Sequence, residues 1–380
     1  MDFRRLSEFL DSLLDRGVPG CDMIIRQKGE TVYRRTNGFA DREAGRLMQG
    51  DELYNVYSAS KVVTVVAALT LYEQGKFLMT DPVSAYIPAF GAMKVKEIRP
   101  DDLEVLHPAV NPITIRDLFT MTSGLNYDLK HPAVLDVIRS TQGRAPTLAV
   151  VEAIAKRPLY FESGTRFMYG LSHDVLAAVV EVISGKRFSE YVREHIFEPC
   201  GMKDSCYHLD EEKKPRLARQ YLFDDALGKA IPTDNSNEYV FGSEYDSGGA
   251  GMITSLQDYI RFAEMLTRRG VTADGHRILS GRTVDLMRTN HLGPVPQKDF
   301  DWVQFKGYGY GLGVRTMVDR TVCGSTGPVG EFGWSGAAGA WMLIDPENEL
   351  TAYYAQHMLN SQEPYTHPRL RNLIYACVDE

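Results

Sequence analysis

Cysteine is scarce in this chain: 380 residues hold five, Cys21, Cys200, Cys206, Cys323 and Cys377. An odd, scattered set excludes a disulfide framework and fits reduced thiols. Cys200 and Cys206 lie close together, but no C-x-x-C or paired histidine beside them makes a metal site. The nine histidines show no H-E-x-x-H or other metal spacing, so neither a metal nor any other cofactor is expected. Long apolar runs are missing too. No stretch approaches the roughly 20 uninterrupted residues of a membrane span. The start, Met1-Asp2-Phe3-Arg4-Arg5-Leu6, interrupts its apolar residues with charge and does not read as an export signal, which makes the cytoplasm the expected location. Positive charge is in deficit: 42 Lys and Arg against 50 Asp and Glu give a net charge of -8. That leaves no electrostatic footprint for nucleic acid or an anionic membrane, and neither is an expected partner.

Two catalytic motifs are also missing. Gly333-Trp334-Ser335-Gly336 fails as a nucleophile elbow because Ala337 takes its fifth position. Gly248-Gly249-Ala250-Gly251 lacks the lysine of a phosphate loop and reads as a site of close packing.

What is present is ordinary for a globular enzyme, with 44% hydrophobic and 24% charged residues. The length exceeds what one core comfortably serves, so two lobes or one large composite domain are expected. Phe3, Leu6, Leu10, Leu13 and Leu14 recur at helical spacing up to Gly17. Residues 22–26 and 31–35 read as strands joined by a tight turn at 27–30. A helix is expected from Ser58 to Gly75. Asp81-Pro82 looks like a cap followed by proline at the first helical position, and Thr114 like a second cap. Helical patterns cover 148–155, 175–183, 256–266 and 369–377. Residues 308–314 and 339–354 read as strands, the latter turning at Asp345-Pro346-Glu347-Asn348. Strands at both ends with helices between predict an α+β fold: one antiparallel sheet from residues 1–57 and 300–380, and an inserted, mostly helical lobe from 58–299, with the site between them.

At that junction stands Ser58-Ala59-Ser60-Lys61, followed by the apolar run 62–69. A serine hydroxyl is a poor nucleophile until a nearby base takes its proton, and a lysine serves only if held largely neutral. Burial and the positive end of a helix both disfavour the ammonium form. Residues three apart on a helix share a face, so Ser58 and Lys61 meet. The tetrad is short, and a chain of this size holds about one by chance, so alone it fits a solvated Ser and Lys on a helix face equally well.

Four more stretches join it in order: Leu118-Phe119-Thr120-Met121-Thr122-Ser123-Gly124-Leu125, Phe167-Met168-Tyr169-Gly170, Gly248-Gly249-Ala250-Gly251-Met252 and Gly333-Trp334-Ser335-Gly336-Ala337-Ala338-Gly339. With Tyr57 to Lys61, these make the chain resemble the serine β-lactamase/penicillin-binding-protein superfamily over nearly its whole length. The likeness is to the class C-like branch, nearest its SxxK esterases, the family VIII carboxylesterases. The resemblance implies that Ser58 is the nucleophile, Lys61 its base and Tyr169 a proton shuttle, with a phenol pKa lowered by the neighbouring ammonium. It implies an oxyanion hole from the backbone amides of Ser58 and Ala337. It sets Trp334, Ser335 and Gly336 on an edge strand along the substrate, with Leu171 and Ser172 also near it, and glycine at 336 lets substrate approach the main chain. His173 reads as a satisfied core or surface residue, unnecessary once Lys61 is the base.

Two departures bear on substrate. Trp334 stands where penicillin-recognising members carry the lysine of Lys-Thr-Gly, and Leu171 where many carry asparagine. Losing a cation and an amide weakens the grip on anionic, peptide-like substrates. The resemblance therefore implies a carboxylesterase for small neutral acyl esters. A β-lactamase, a D-Ala-D-Ala carboxypeptidase or D-aminopeptidase on amides, an acyltransferase and a non-catalytic penicillin-binding-like sensor are the alternatives.

Overall fold

The two ends of the chain meet in one sheet. In the computed structural model, which describes residues 1–99 and 103–378, helix α1 (Arg4–Asp15) buries Leu6, Leu10 and Leu13. Strands β1 (Gly20–Gln27) and β2 (Glu30–Asp41) then form an antiparallel hairpin. Lys28 and Gly29, at φ of 51° and 83°, make the two-residue turn whose twist suits a hairpin. A short β3 (Arg46–Leu47) follows. From the far end come β4 (Tyr308–Tyr310), β5 (Arg315–Met317), β6 (Phe332–Gly333), β7 (Trp341–Asp345) and β8 (Leu350–Gln356). The eight strands lie in the order β4-β5-β6-β7-β8-β1-β2-β3, all pairs antiparallel. The seam between the chain ends is β1 against β8, in register from Cys21 opposite Gln356 to Gln27 opposite Leu350.

Alternation along the strands splits the core into two layers. Met23, Ile25, Trp341 and Leu343 pack with α1 and a C-terminal helix, α5 (Glu363–Val378). Ile24, Met342 and Ile344 face the opposite way. There they join the larger core with α2 (Ser60–Glu73), α3 (Ser172–Ser184) and α4 (Leu256–Thr267). The expected architecture, a sheet from both ends flanked by helices, is the observed one. The middle of the chain also carries small sheets that sequence pattern did not predict, among them Leu53–Asn55 paired with Ile253–Ser255.

α2 runs through the middle of the larger core and is buried at every position from Ser60 to Leu71. Burying each Val or Leu stabilises by roughly 1.5–3 kcal/mol, so the run at 62–69 fixes the helix firmly. A 3₁₀ turn at Tyr57–Ala59 leads into it, placing Ser58 just before the helix instead of at its first residue. Among the described residues no helix is long and apolar enough to cross a membrane.

Several local expectations differ. Residues 308–314 form no single strand, because the chain turns at Gly311 and Gly313, the latter at φ +70°, to bring β5 back against β4. Pro82 precedes a 3₁₀ turn at Val83–Ala85 and starts no α-helix. Thr114 does cap Ile115–Phe119, in a capping box with Asp117. α5 begins at Glu363, earlier than the expected start at Arg369, and runs through Pro368. The Trp334 segment is not on a sheet edge, since β6 lies between β5 and β7. Its pairing with β5 ends at Gly333, however, and beyond it the backbone bonds toward β7 and the turn before it, Met342 N donating to the Trp334 carbonyl, Gly336 N to that of Ala340 and Gly339 N to that of Gly336. One side of residues 334–337 is thereby left open locally.

Candidate active site

Ser58 owes its position to a sharp change of direction. Strand Leu53–Asn55 ends, Val56 N donates to the Met252 carbonyl at 3.1 Å, and Tyr57 adopts a left-handed φ of 45° before α2 begins. The other serine of the tetrad has a structural role: Ser60 Oγ, fully buried, accepts from Met252 N at 3.0 Å. Lys61, on the next turn, points its amine back to Ser58, with Nζ 3.0 Å from Oγ.

Lys61 has no exposed surface, and burial lowers its pKa to about 7. Asp174 opposes that shift through its negative charge. Nζ also donates to the Gly249 carbonyl at 2.7 Å. In a neutral amine this bond occupies one N–H and helps aim the lone pair at Ser58. Asp174, in the first turn of α3, is buried and held by three donors: Tyr245 OH at 2.9 Å, Ser247 Oγ at 2.7 Å and Gly249 N at 3.3 Å. Glycine is required at 249, since a Cβ there would come within 2.4 Å of Asp174 Oδ2. The stretch 248–251 is thus a close-packing site, but one that delivers a carbonyl to Lys61.

Tyr169 brings its hydroxyl to the same serine. It shares a hydrogen bond with Ser58 and accepts another from Trp334 Nε1 at 2.8 Å. Lys61 Nζ stands 4.7 Å from the centroid of its ring. The expected lowering of the phenol pKa is not found: burial outweighs both hydrogen bonds and raises it, so Tyr169 stays protonated. The basic group of the trio is Lys61.

These groups open onto a cavity of about 240 Å³. Ser58, Tyr169, Trp334, Ser335 and Ala337 line it, with Tyr57, Tyr127, Tyr239, Trp302 and Glu363. Glu363, the first residue of α5, accepts from Ser335 Oγ at 3.3 Å, and burial pushes its carboxyl up to about 7.

Three expected site residues lie elsewhere. Leu171 is buried in the core, and Ser172 is buried with its hydroxyl 2.8 Å from that of Ser123. Gly336 faces away from the cavity: a Cβ there would meet the Val56 carbonyl at 2.0 Å, so the close approach that requires glycine is to the protein's own backbone. His173 is buried beside Phe119, and burial lowers its pKa to about 3, leaving it neutral. Sequence reasoning did not find Tyr127, Tyr239, Trp302, Glu363 or Asp174. Asp174 did leave a signal, an acid opening an otherwise apolar helix; the four others come from loops and helix ends with no periodic pattern. Among the described residues no group of three or more His, Cys, Asp or Glu side chains is arranged to hold a metal.

Comparison with known proteins agrees with this picture. A family model described as Beta-lactamase matches residues 4–376. An uncharacterised protein of Mycobacterium tuberculosis is 31% identical over 355 residues, which cover 89% of this chain and 85% of that protein. Esterase EstB of Burkholderia gladioli is 30% identical over 370 residues, covering 91% of this chain and 88% of its own. Unliganded simvastatin synthase (LovD) from Aspergillus terreus shares the fold, with a TM-score of 0.84 over 100% of both chains at 23% identity.

Proposed function

The chain belongs to the beta-lactamase family, and from that membership we propose that it is a carboxylesterase acting on small neutral acyl esters through a Ser58 acyl-enzyme. The observation that carries this reading is the buried Lys61 amine, 3.0 Å from Ser58 Oγ with its pKa lowered to about 7. At neutral pH much of it is free base, which a serine nucleophile requires.

In the proposed reaction Ser58 Oγ bonds to the ester carbonyl carbon as its proton passes to Lys61 Nζ. The backbone N–H groups of Ser58 and Ala337 hold the oxyanion. When the tetrahedral species collapses, the bond to the alcohol oxygen breaks. The alcohol leaves with a proton given by the Tyr169 hydroxyl, and Lys61 makes that proton good. Water then attacks the acyl carbon, giving a proton to Lys61; the bond to Ser58 Oγ breaks, Oγ regains that proton from Lys61, and the acid is released. A phenol held neutral by burial suits this relay, because it gives a proton only while gaining one. In this reading the cleft lies between a sheet lobe of residues 1–57 and 300–380 and a helical lobe of 58–299.

An ester substrate is favoured over a β-lactam by the cavity wall, where no cationic side chain stands among the described lining residues and Trp334 lines the cavity with Ser58. The kinship with a protein named an esterase supports the same choice. The test is hydrolysis of p-nitrophenyl acetate and butyrate, with nitrocefin alongside. Wild type turns over the esters and Ser58→Ala does not; ester hydrolysis that survives Ser58→Ala overturns the reading.

A further inference from the structure

The rings around the cavity form a continuous wall. Tyr57 meets Tyr239 edge-on at 6.3 Å between centroids, Tyr239 meets Tyr127 at 5.2 Å, and Tyr127 meets Tyr169 at 5.7 Å. Tyr169 contacts Trp302 at 5.4 Å and Trp334 at 5.5 Å, and the two indoles lie 6.1 Å apart. Six aromatic rings thus line the cavity of about 240 Å³. One carboxylate stands among them. Among the described residues Glu363 is the one acid that lines the cavity, and no lysine or arginine does.

An aromatic wall with a single acid and no cation is poorly suited to an anion and well suited to a positive charge that water holds weakly. Ring faces attract such a cation through their quadrupole, and the attraction strengthens as the site dries. We propose that the site selects esters whose alcohol part carries an ammonium group, held between the aromatic wall and the Glu363 carboxylate. The inference rests on the esterase reading and adds the charge of the substrate to it.

The surroundings of Glu363 fit this role. Ser335 Oγ and the Gln304 side chain hydrogen-bond to it, and the charge of Arg315 acts on it through space. Arg315 is fully buried behind the wall, where it and Arg371 share Glu331 at 2.8 and 3.2 Å. Its charge favours the ionised Glu363 without reaching the cavity surface. Lys61 is the nearest competing cation, 4.7 and 5.6 Å from the ring centroids of Tyr169 and Tyr127. Once it loses its proton, which the chemistry requires, those rings are free of it. At pH 8 the cavity therefore presents an acid and six rings, with a neutral amine buried beside Ser58.

The experiment compares kcat/KM for acetylcholine with that for 3,3-dimethylbutyl acetate, its uncharged isostere, at pH 8. Wild type is expected to favour the cation, and Glu363→Gln, which keeps a polar partner for Ser335, to lower that preference by about tenfold. The ratio is read within each enzyme, so a general loss of activity in the variant cancels. A second measurement needs no variant: tetramethylammonium is expected to compete with p-nitrophenyl acetate in wild type, and tert-butanol at equal concentration is not. A preference for the neutral ester, a ratio unmoved by Glu363→Gln, or no competition by tetramethylammonium overturns the proposal. If p-nitrophenyl acetate is hydrolysed and acetylcholine is not, the cation proposal falls and the esterase reading stands. If p-nitrophenyl acetate itself is not hydrolysed, the esterase reading falls and takes the proposal with it.

Discussion

The indole Nε1 of Trp334 donates a 2.8 Å hydrogen bond to the phenol oxygen of Tyr169. Since an indole only donates, the bond occupies a lone pair on that oxygen and leaves the phenol's own proton for Ser58 or the leaving group. Trp334→Phe keeps an aromatic ring in the wall and removes the donor. A neutral hydrogen bond of this kind contributes about 1 kcal/mol, so kcat for p-nitrophenyl butyrate is expected to fall about five- to tenfold with KM little changed. Steady-state kinetics check this; an unchanged kcat would mean the bond merely orders the wall.

The acid limb of the pH profile belongs to Lys61. Burial places its pKa near 7, far below the ordinary lysine value. The base works only after losing its proton, so kcat/KM for a neutral ester is expected to rise with pH through about 7 and to be lost below it. Glu363 titrates in the same range. The limb should therefore persist in Glu363→Gln, and its disappearance there would assign it to the wrong group. The displacement also bears on stability. Between about 7 and the ordinary lysine pKa of 10.5 the unfolded chain binds the proton that the native state refuses, so this group's contribution to stability improves as pH rises across that window.

Asp174 sets where that limb falls. Its negative charge acts to raise the Lys61 pKa against the effect of burial. Asp174→Asn removes the charge, so the midpoint of kcat/KM against pH is expected to move to lower pH. Tyr245, Ser247 and Gly249 lose a charged acceptor in the same step. Hydrogen bonds to a buried charge contribute roughly 1.5–3 kcal/mol each, so the melting temperature should fall as well. A midpoint that stays in place while the melting temperature falls would confine Asp174 to holding the 247–249 turn.

How much of this was legible in the sequence depended on whether the signal was periodic or local. The α1 leucines, the apolar run of α2 and the Thr114 cap each carry their structure in a few adjacent residues, and each formed where expected. Ser58, Lys61 and Tyr169 belong to short ordered motifs, and the fold brings all three together, Ser58 and Tyr169 on the cavity and Lys61 buried beside Ser58. Two kinds of feature were hidden. Glu363 and Trp302 reach the cavity from segments far apart in sequence, so only tertiary structure reveals them. The Tyr169 phenol followed the opposite sign from the expected one because desolvation, which depends on depth of burial, outweighed its hydrogen bonds with Ser58 and Trp334. The β4–β5 turn was missed for a simpler reason: aromatic and β-branched residues suggested one strand, and Gly311 and Gly313 divided it.

Gly336 fixes the distance between the two backbone segments that carry the proposed oxyanion amides of Ser58 and Ala337. A Cβ built on it would lie 2.0 Å from the Val56 carbonyl oxygen and 3.4 Å from Ala59 N, the residues on either side of the Tyr57-Ser58 turn. Backbone on both sides leaves no flexible side chain to give way. Gly336→Ala must therefore push the 334–337 segment off that turn, moving the Ala337 amide away from Ser58. Overpacking of this sort costs about 1–3 kcal/mol, and a shift near 1 Å at a reacting centre lowers rates about a hundredfold. The expected result is a lower melting temperature together with a kcat/KM loss of about that size. Gly293→Ala is the control, because a Cβ at that glycine meets nothing within 4 Å. If Gly336→Ala matches Gly293→Ala in both melting temperature and turnover, residues 334–337 do not position the oxyanion amide.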